Sequence, residues 1–383
     1  MDFSLTKQQL MVQKTIRSFT NNEIRPIAAA VDRYEATIED NLTKLAKLGL
    51  FSIVLPSADG SFSGDCMSYV IAVEEVSRAC ASTGTALSGR MSGLVIEMLY
   101  REGTPEQKEK YLAPQLRGEL CGCFGLTEPE AGSDAGRLTT IAVPDEDWYI
   151  INGQKAFITG GRNADFAIVM AKTDPAKGTR GITAFLVDKG TPGFTSGKDE
   201  MKMGIHGVTT NELVFKDVRV HKSAILGKEN NGFRQAMISL DSGRLGIAAQ
   251  ALGIAQGAYD EAVKYSKERV QFGGPISNNQ AIQWMLVDMR MKIEAARLLV
   301  YRAAYRKQQN HPSYSMDAAM AKLYAAQTAM WVTTKAVQIH GGYGYMMEYP
   351  VERMMRDAKI TEIYEGTNEI QYIVIARNIL RGR

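Results

Sequence analysis

The sequence predicts an α+β protein in three parts: an N-terminal α-helical domain over residues 1–118, a middle antiparallel β domain over 119–226, and a C-terminal four-helix bundle over 227–383. Three observations predict it. Apolar residues recur at helical spacing up to about residue 118. Between about 121 and 220 the period changes to short runs rich in β-branched and aromatic residues, separated by Gly, Pro and Asp clusters. After "GKENNGF" four long helix-patterned segments follow, 231–268, 280–310, 315–340 and 351–379, lengths that suit a bundle. The strand runs do not alternate with helices, so a parallel β-α-β sheet is not expected.

Each element has its own signal. Thr6 with Gln9 forms a T-x-x-Q capping box, and Val12, Ile16 and Phe19 follow on one helical face, with Pro26 just beyond. "NLTKLAKLGL" is a second helix that Gly49 can stop. "MSYVIAVEEVSRAC" and "TPEQKEKYLAPQL" continue the helical pattern. In the β region, "DWYIINGQKAFIT" reads as a hairpin turning at Asn152-Gly153. "DFAIVMAKT", "GITAFLVDK" and "TNELVFKDVRV" are further strands. Ser315 is the expected N-cap of the third long helix.

Composition narrows the function classes. The net charge of +3 is well mixed, which argues against nucleic acid as the main partner. No window of 18 uninterrupted apolar residues and no basic-then-apolar start is present, so no membrane span or secretory signal is expected, and a cytoplasmic protein fits. Cys66, Cys80, Cys121 and Cys123 are too few for a disulfide framework, and Cys121 and Cys123 have the wrong spacing for a zinc pair. The scattered His206, His221, His311 and His340 give no metal spacing. A phosphate loop, an H-E-x-x-H motif, a strand–G-x-G-x-x-G–helix unit and a G-x-S-x-G elbow are all absent.

Three segments exceed what propensity requires. "FGLTEPEAGSDAGRLTT" (124–140) offers backbone N–H groups and hydroxyls to an extended polar ligand, or is a polar loop entering the β region. "KERVQFGGPISNNQ" (267–280) places Arg269 at a helix end, where a bidentate phosphate contact or a plain charged turn would suit it. "QIHGGYGYMMEYPVERMMRDAKITEIYEGTNEIQ" (338–371) has a Gly-rich break that lets backbone approach a ligand, and a second break that sets Glu365 beside Gly366. In order, "TEPEAGSD", "RVQFG", "QIHGGYG" and "RDAKITEIYEGTNEIQ" resemble the acyl-CoA dehydrogenase family over essentially the whole chain, nearest to its short-chain, butyryl-CoA dehydrogenase-like branch.

The resemblance implies FAD as cofactor and conversion of a short-chain acyl-CoA to the trans-2-enoyl-CoA. A carboxylate takes the pro-R proton at Cα while hydride leaves Cβ for flavin N5. By resemblance Glu365 is that base, its N–H donates to the thioester oxygen beside the flavin ribityl 2′-OH, Tyr364 lines the pocket and Gly366 leaves room for substrate. Other branches carry the base on an earlier helix in a D-x-E-R-like pattern. Here that pattern reads "LDSGRLG", with Gly243 before Arg244, so Glu365 is the consistent choice. Leu126, Thr127, Gly132, Ser133, Phe157, Ile158 and Thr159 are then expected beside the flavin. Arg269, Gln271, Phe272, Gln280, Gln338, Gly341 and Gly342 are expected at a neighbouring subunit's flavin, with Thr367 and Glu369 completing the site and Glu362 structural. Ser133, Asp241 and Arg244 match the substrate-contacting region. A site shared between subunits implies a homo-oligomer, in the family usually a tetramer, and the family's electron acceptor is an electron-transferring flavoprotein.

Arg90 departs from the pattern. Either it pairs with an acid of the chain, or it meets a carboxylate or polar group on the acyl tail, which would imply a dicarboxylyl-CoA substrate. Glutaryl-type members place such an Arg near Gly84 here, so the match is not residue for residue. An alicyclic acyl group, an acyl-CoA oxidase, a flavin monooxygenase on the same fold, a non-catalytic assembly role and operation as an enoyl-CoA reductase are the other expectations the resemblance leaves open.

Overall fold

The computed structural model describes residues 4–56 and 64–380, so the outermost ends expected for the first and third domains lie outside it. The first part holds α1 (Lys7–Phe19), α2 (Ala28–Asp32), α3 (Glu39–Lys47), α4 (Cys66–Ser77), α5 (Ala81–Ser92), α6 (Leu94–Glu102), α7 (Pro105–Gln107) and α8 (Ala113–Leu116). Thr6 caps α1 with the reciprocal Gln9 bond that its motif implies. Gly49, just beyond α3, takes a left-handed φ of 76° and ends that helix.

The middle part is a seven-stranded sheet of β1 (Gly122–Gly125), β2 (Ile141–Asp145), β3 (Trp148–Thr159), β4 (Phe166–Lys172), β5 (Ile182–Asp188), β6 (Phe194–Asp199) and β7 (Thr210–His221). Its order is β1-β4-β2-β3-β7-β6, with β5 on β4. Two expectations are corrected. The sheet is mainly antiparallel but mixed, because β4 runs parallel to β1 and touches β2 in parallel at its end. Asn152-Gly153 is not a turn: β3 continues through it, and a register shift against β7 places Gly153 at a bulge with φ 146°. The turn falls earlier, at Glu146-Asp147, where Asp145 pairs Trp148 and Glu146 adopts φ 56°.

The last part comprises α9 (Gly232–Glu268), a two-stranded ribbon of β8 (Val270–Gln271) and β9 (Gly274–Pro275), then α10 (Gln280–Gln308), α11 (Tyr314–His340), α12 (Pro350–Ile360) and α13 (Asn368–Leu380). The cap of α11 is Ser313 rather than Ser315, which lies inside the first turn. The fourth long segment is two helices, broken at 361–367. Every residue of α9 from Ser242 to Ala258 is buried, so this helix is the bundle's axis. Its alanines and those of α11 allow close approach, and one apolar core joins α1, α4 and α5 to α9–α12. Two further clusters cover the two sides of the sheet, one of them reaching Val95–Leu99 of α6.

Candidate active site

The break between α12 and α13 is where the chain spends conformational energy. Glu365 has φ 51° and Gly366 φ 90°, two consecutive left-handed residues. For glutamate that conformation costs about 1–2 kcal/mol, so the surrounding contacts must hold it. Gln371 Nε2 and Lys322 Nζ both donate to the Gly366 carbonyl, at 2.7 and 2.9 Å. Thr361 closes α12 on Ala358, and Asn368 N–H reaches the Glu362 carbonyl across the loop. Glu362 itself pairs with Lys359 at 2.7 Å.

The loop aims the Glu365 carboxylate at α9. A Cβ built on Gly243 would lie 1.5 Å from Glu365 Oε2. The two sequence positions at which a base could sit, 243 and 365, therefore converge on one volume, and only one side chain can fill it. Glu365 Oε2 is enclosed and finds no hydrogen-bond partner among the described residues. Burial raises this carboxyl to about pKa 7, against the opposing pull of Arg244 and Lys322. Arg244 is buried; its Nη1 is bonded to Asp241, while its Nε has no partner among the described residues. Tyr364 bonds Gln250, whose Nε2 donates to Thr85 Oγ1 at 2.7 Å. One turn beyond Gly243, Gly246 faces the hydroxyls of Ser88 and Tyr69, each 2.2 Å from where a Cβ on residue 246 would lie, and these two hydroxyls bond each other at 2.9 Å.

A second cavity, of about 590 Å³, gathers Arg269, Gln271, Gly341 and Gly342 with Tyr265, His340 and Tyr343. Arg269 caps α9 and lies over the Tyr343 ring at 5.3 Å. Open space surrounds both Gly341 and Gly342. Phe272, at the turn of the β8–β9 ribbon, has φ 49° and is fully exposed, and Gln280 and Gln338 are also exposed. Thr367 accepts from Ile370 N–H at the start of α13, where Glu369 is exposed.

In the sheet, Ala156 N–H donates to the Thr127 carbonyl at 2.9 Å, which brings Leu126–Thr127 beside Phe157–Thr159. Phe157 takes φ 58° and is exposed, Thr159 is exposed, and Ile158 is buried. Gly132 and Ser133 are exposed in the loop after β1. That loop hangs on Glu128, whose carboxylate accepts from the N–H and hydroxyl of both Thr139 and Thr140 and pairs with Lys155 at 2.8 Å. Arg90 lies 3.1 Å from the exposed carboxylate of Glu39, which is the pairing alternative.

Sequence reasoning missed Lys322, Gln371, Gln250 and the Ser88–Tyr69 pair. Lys322 carried a faint signal, a lone cation in the apolar helical run "AAMAKLYAAQTAM". The hydroxyl residues carried none.

Helical parts before and after a sheet, with an enclosed carboxylate on the bundle, match a family of oxidoreductases that work on a CH–CH pair. The chain belongs to the acyl-CoA dehydrogenase family: its N-terminal domain model matches residues 6–119, the middle domain model 123–218 and the C-terminal domain model 230–380. Members of this family are flavoproteins. The chain is 52% identical to a short-chain specific acyl-CoA dehydrogenase of Clostridium acetobutylicum over 100% of both chains. It superposes on butyryl-CoA dehydrogenase of Megasphaera elsdenii with a TM-score of 0.96 at 49% identity, covering 100% of each. A chain solved in work on the electron transferring flavoprotein of Acidaminococcus fermentans and its electron bifurcation matches equally well, TM-score 0.96 at 50% identity over 100% of each. No helix among the described residues is long and apolar enough to cross a membrane.

Proposed function

We propose that the chain is an FAD-dependent short-chain acyl-CoA dehydrogenase with Glu365 as its base. The observation that carries this reading is the enclosed, unpartnered Glu365 carboxylate, held on a left-handed turn against Gly243. A buried acceptor without a donor costs about 1–3 kcal/mol, and such a cost persists where it serves chemistry. A base near pKa 7 is matched to proton abstraction at neutral pH.

Glu365 accepts the Cα proton, the Cα–H electron pair becomes the new Cα=Cβ bond, and hydride departs from Cβ. The residues present suit FAD: the open approach at Gly341 and Gly342, the Arg269 guanidinium in the same cavity and the exposed Phe157 ring support a dinucleotide with a flavin ring. FAD, when bound, supplies the acceptor for the Cβ hydride. The Glu365 N–H serves the thioester oxygen, and Arg244 and Asp241 lie on the substrate side. The Ser88 and Tyr69 hydroxyls packed at Gly246 limit the depth beyond the carboxylate, which favours a short acyl chain such as butyryl. The chain solved in work on an electron transferring flavoprotein supports such a flavoprotein as acceptor, the family resemblance supports a homotetramer as the working assembly, and the same residues serve enoyl-CoA reduction when electrons flow the other way.

Anaerobic addition of butyryl-CoA should bleach the yellow enzyme. Glu365→Gln should keep the colour and lose the bleaching. Bleaching of that variant at the wild-type rate would place the base elsewhere, and stoichiometric peroxide in air would favour an oxidase.

A further inference from the structure

Lys322 sits in the middle of α11 with its side chain fully buried. A buried ammonium normally pairs with a carboxylate, yet no carboxylate lies within ion-pair distance of Lys322 among the described residues. Its hydrogen bonds go to two neutral acceptors, the Gly366 carbonyl at 2.9 Å and Asn368 Oδ1 at 3.4 Å. The first acceptor belongs to the break that carries Glu365, and the second opens α13 directly after it. The other donor to the Gly366 carbonyl, Gln371 Nε2, is neutral. One carbonyl thus receives a charged donor from α11 and an uncharged one from α13.

We propose that Lys322 is the positioning residue of the catalytic loop: it clamps the Gly366 carbonyl, which fixes the left-handed Glu365–Gly366 turn, and its buried charge joins that of Arg244 in favouring the Glu365 carboxylate. The inference rests on the reading of Glu365 as the base. The charges around the pair are few. Arg244 and Asp241 come from α9, Glu362 and Tyr364 from the loop, Glu369 from α13 and Tyr69 from α4. Asp241 is bonded to Arg244 and Glu362 to Lys359, and Glu369 is exposed. Burial draws Lys322 down to about pKa 8, and the charge that opposes this most strongly is Glu365. Proton uptake by Glu365 therefore removes the largest of the negative charges that favour the buried cation, leaving only the smaller pull of Glu362 and Glu369. That resists over-stabilisation of the protonated base and keeps the carboxylate available for the next turnover.

The base must be ionised, so the bleaching rate rises with pH through the Glu365 titration. Removing the Lys322 charge disfavours the carboxylate and moves that acid limb upward. Lys322→Gln and Lys322→Met should shift it by on the order of one pH unit, with a roughly fivefold loss of bleaching rate at neutral pH, approaching about tenfold below it, that recovers in alkali. Lys322→Arg should keep the limb near its wild-type position. Gln371→Leu, which removes only the neutral donor, should slow bleaching without moving the limb. Infrared titration of the Glu365 carboxyl in the flavin-loaded protein, assigned by difference with Glu365→Gln, reads the same shift without turnover. An unmoved limb and an unmoved carboxyl titration in Lys322→Gln, or equal loss at every pH, would overturn the proposal and leave Lys322 a packing residue. Wild-type bleaching by Glu365→Gln would instead sink the assignment of the base, while the infrared titration would still report on Lys322.

Discussion

At the scale of single residues, Gly243 and Glu365 form one device. A methyl group on residue 243 would overlap the Glu365 carboxylate, so Gly243→Ala must push the base off its line. We expect folding and flavin colour to survive and the bleaching rate to fall at least about tenfold, since displacement near 1 Å of a reacting group is costly. Unchanged single-turnover kinetics would show that the carboxylate works from another position. Moving the acid, by Gly243→Glu with Glu365→Gly, should restore part of the activity that Glu365→Gly alone loses. The raised Glu365 pKa also predicts a stability signature. A carboxyl titrating at about 7 folded, against the usual 4.5, contributes stability that is intact below pH 4.5 and lost as pH climbs through 7. Glu365→Gln should therefore gain about 2 kcal/mol over wild type between pH 5 and 8, read from denaturant midpoints. A constant difference across that range would contradict an enclosed carboxylate. The acid–glycine pair in a helical tail drew attention to Glu365, but its role came from the family resemblance together with Gly243 at the alternative position. Lys322 was not legible, because a cation in an apolar run looks the same in sequence whether it snorkels outward or is buried on a carbonyl.

Elements were legible where periodicity is long and ambiguous where one dipeptide serves two geometries. The bundle helices are long enough for their pattern to dominate, and their ends moved only by a residue or two, as with Ser313 replacing Ser315. Asn152-Gly153 misled because a left-handed glycine suits a bulge as well as a turn, and the choice depends on β7 and β2. The bulge has a packing reason. Gly153 lies against Thr140, with a Cβ there only 2.5 Å from its Oγ1, and Thr140 is one of the residues that hold Glu128. Burial pushes Glu128 up, but Lys155 and the threonine hydroxyls prevail and hold it down at about 2. Gly153→Ala should cost roughly 1–3 kcal/mol. Lys155→Met, which strands a buried carboxylate, should cost about 3–5 kcal/mol and release flavin more readily, because Leu126–Ser133 hang on this anchor. Glu128 is ionised well below its ordinary range, so the pair's contribution is present above about pH 4.5 and fades as pH falls toward 2. Thermal melts and flavin retention across pH 3–7 check both variants. Wild-type flavin retention in Lys155→Met would separate the anchor from the cofactor site.

For the whole molecule, the telling feature is apolar surface outside the core. Trp284, Val287, Met291, Leu298 and Tyr305 are exposed along one stripe of α10, and Phe272 stands fully exposed at the ribbon that precedes it. Contiguous apolar surface of this kind is uncommon on a protein that works alone. The family resemblance expects Arg269, Gln271 and Phe272 at a neighbour's flavin, but periodicity cannot say which face of α10 meets another copy. The stripe and the exposed ribbon lie close together in the chain, so under the proposed reading one association would both cover the stripe and bring the ribbon to a neighbour's flavin. Met291→Lys paired with Val287→Lys should therefore break the assembly and lower flavin content together. Phe272→Ala, which leaves the stripe intact, should weaken flavin retention while the oligomer persists. Light scattering and the flavin-to-protein absorbance ratio measure the two outcomes on the same samples. Monomers of the double variant that keep a full complement of flavin would mean that each chain completes its cofactor site alone, and the residues at 269–272 would then need another role.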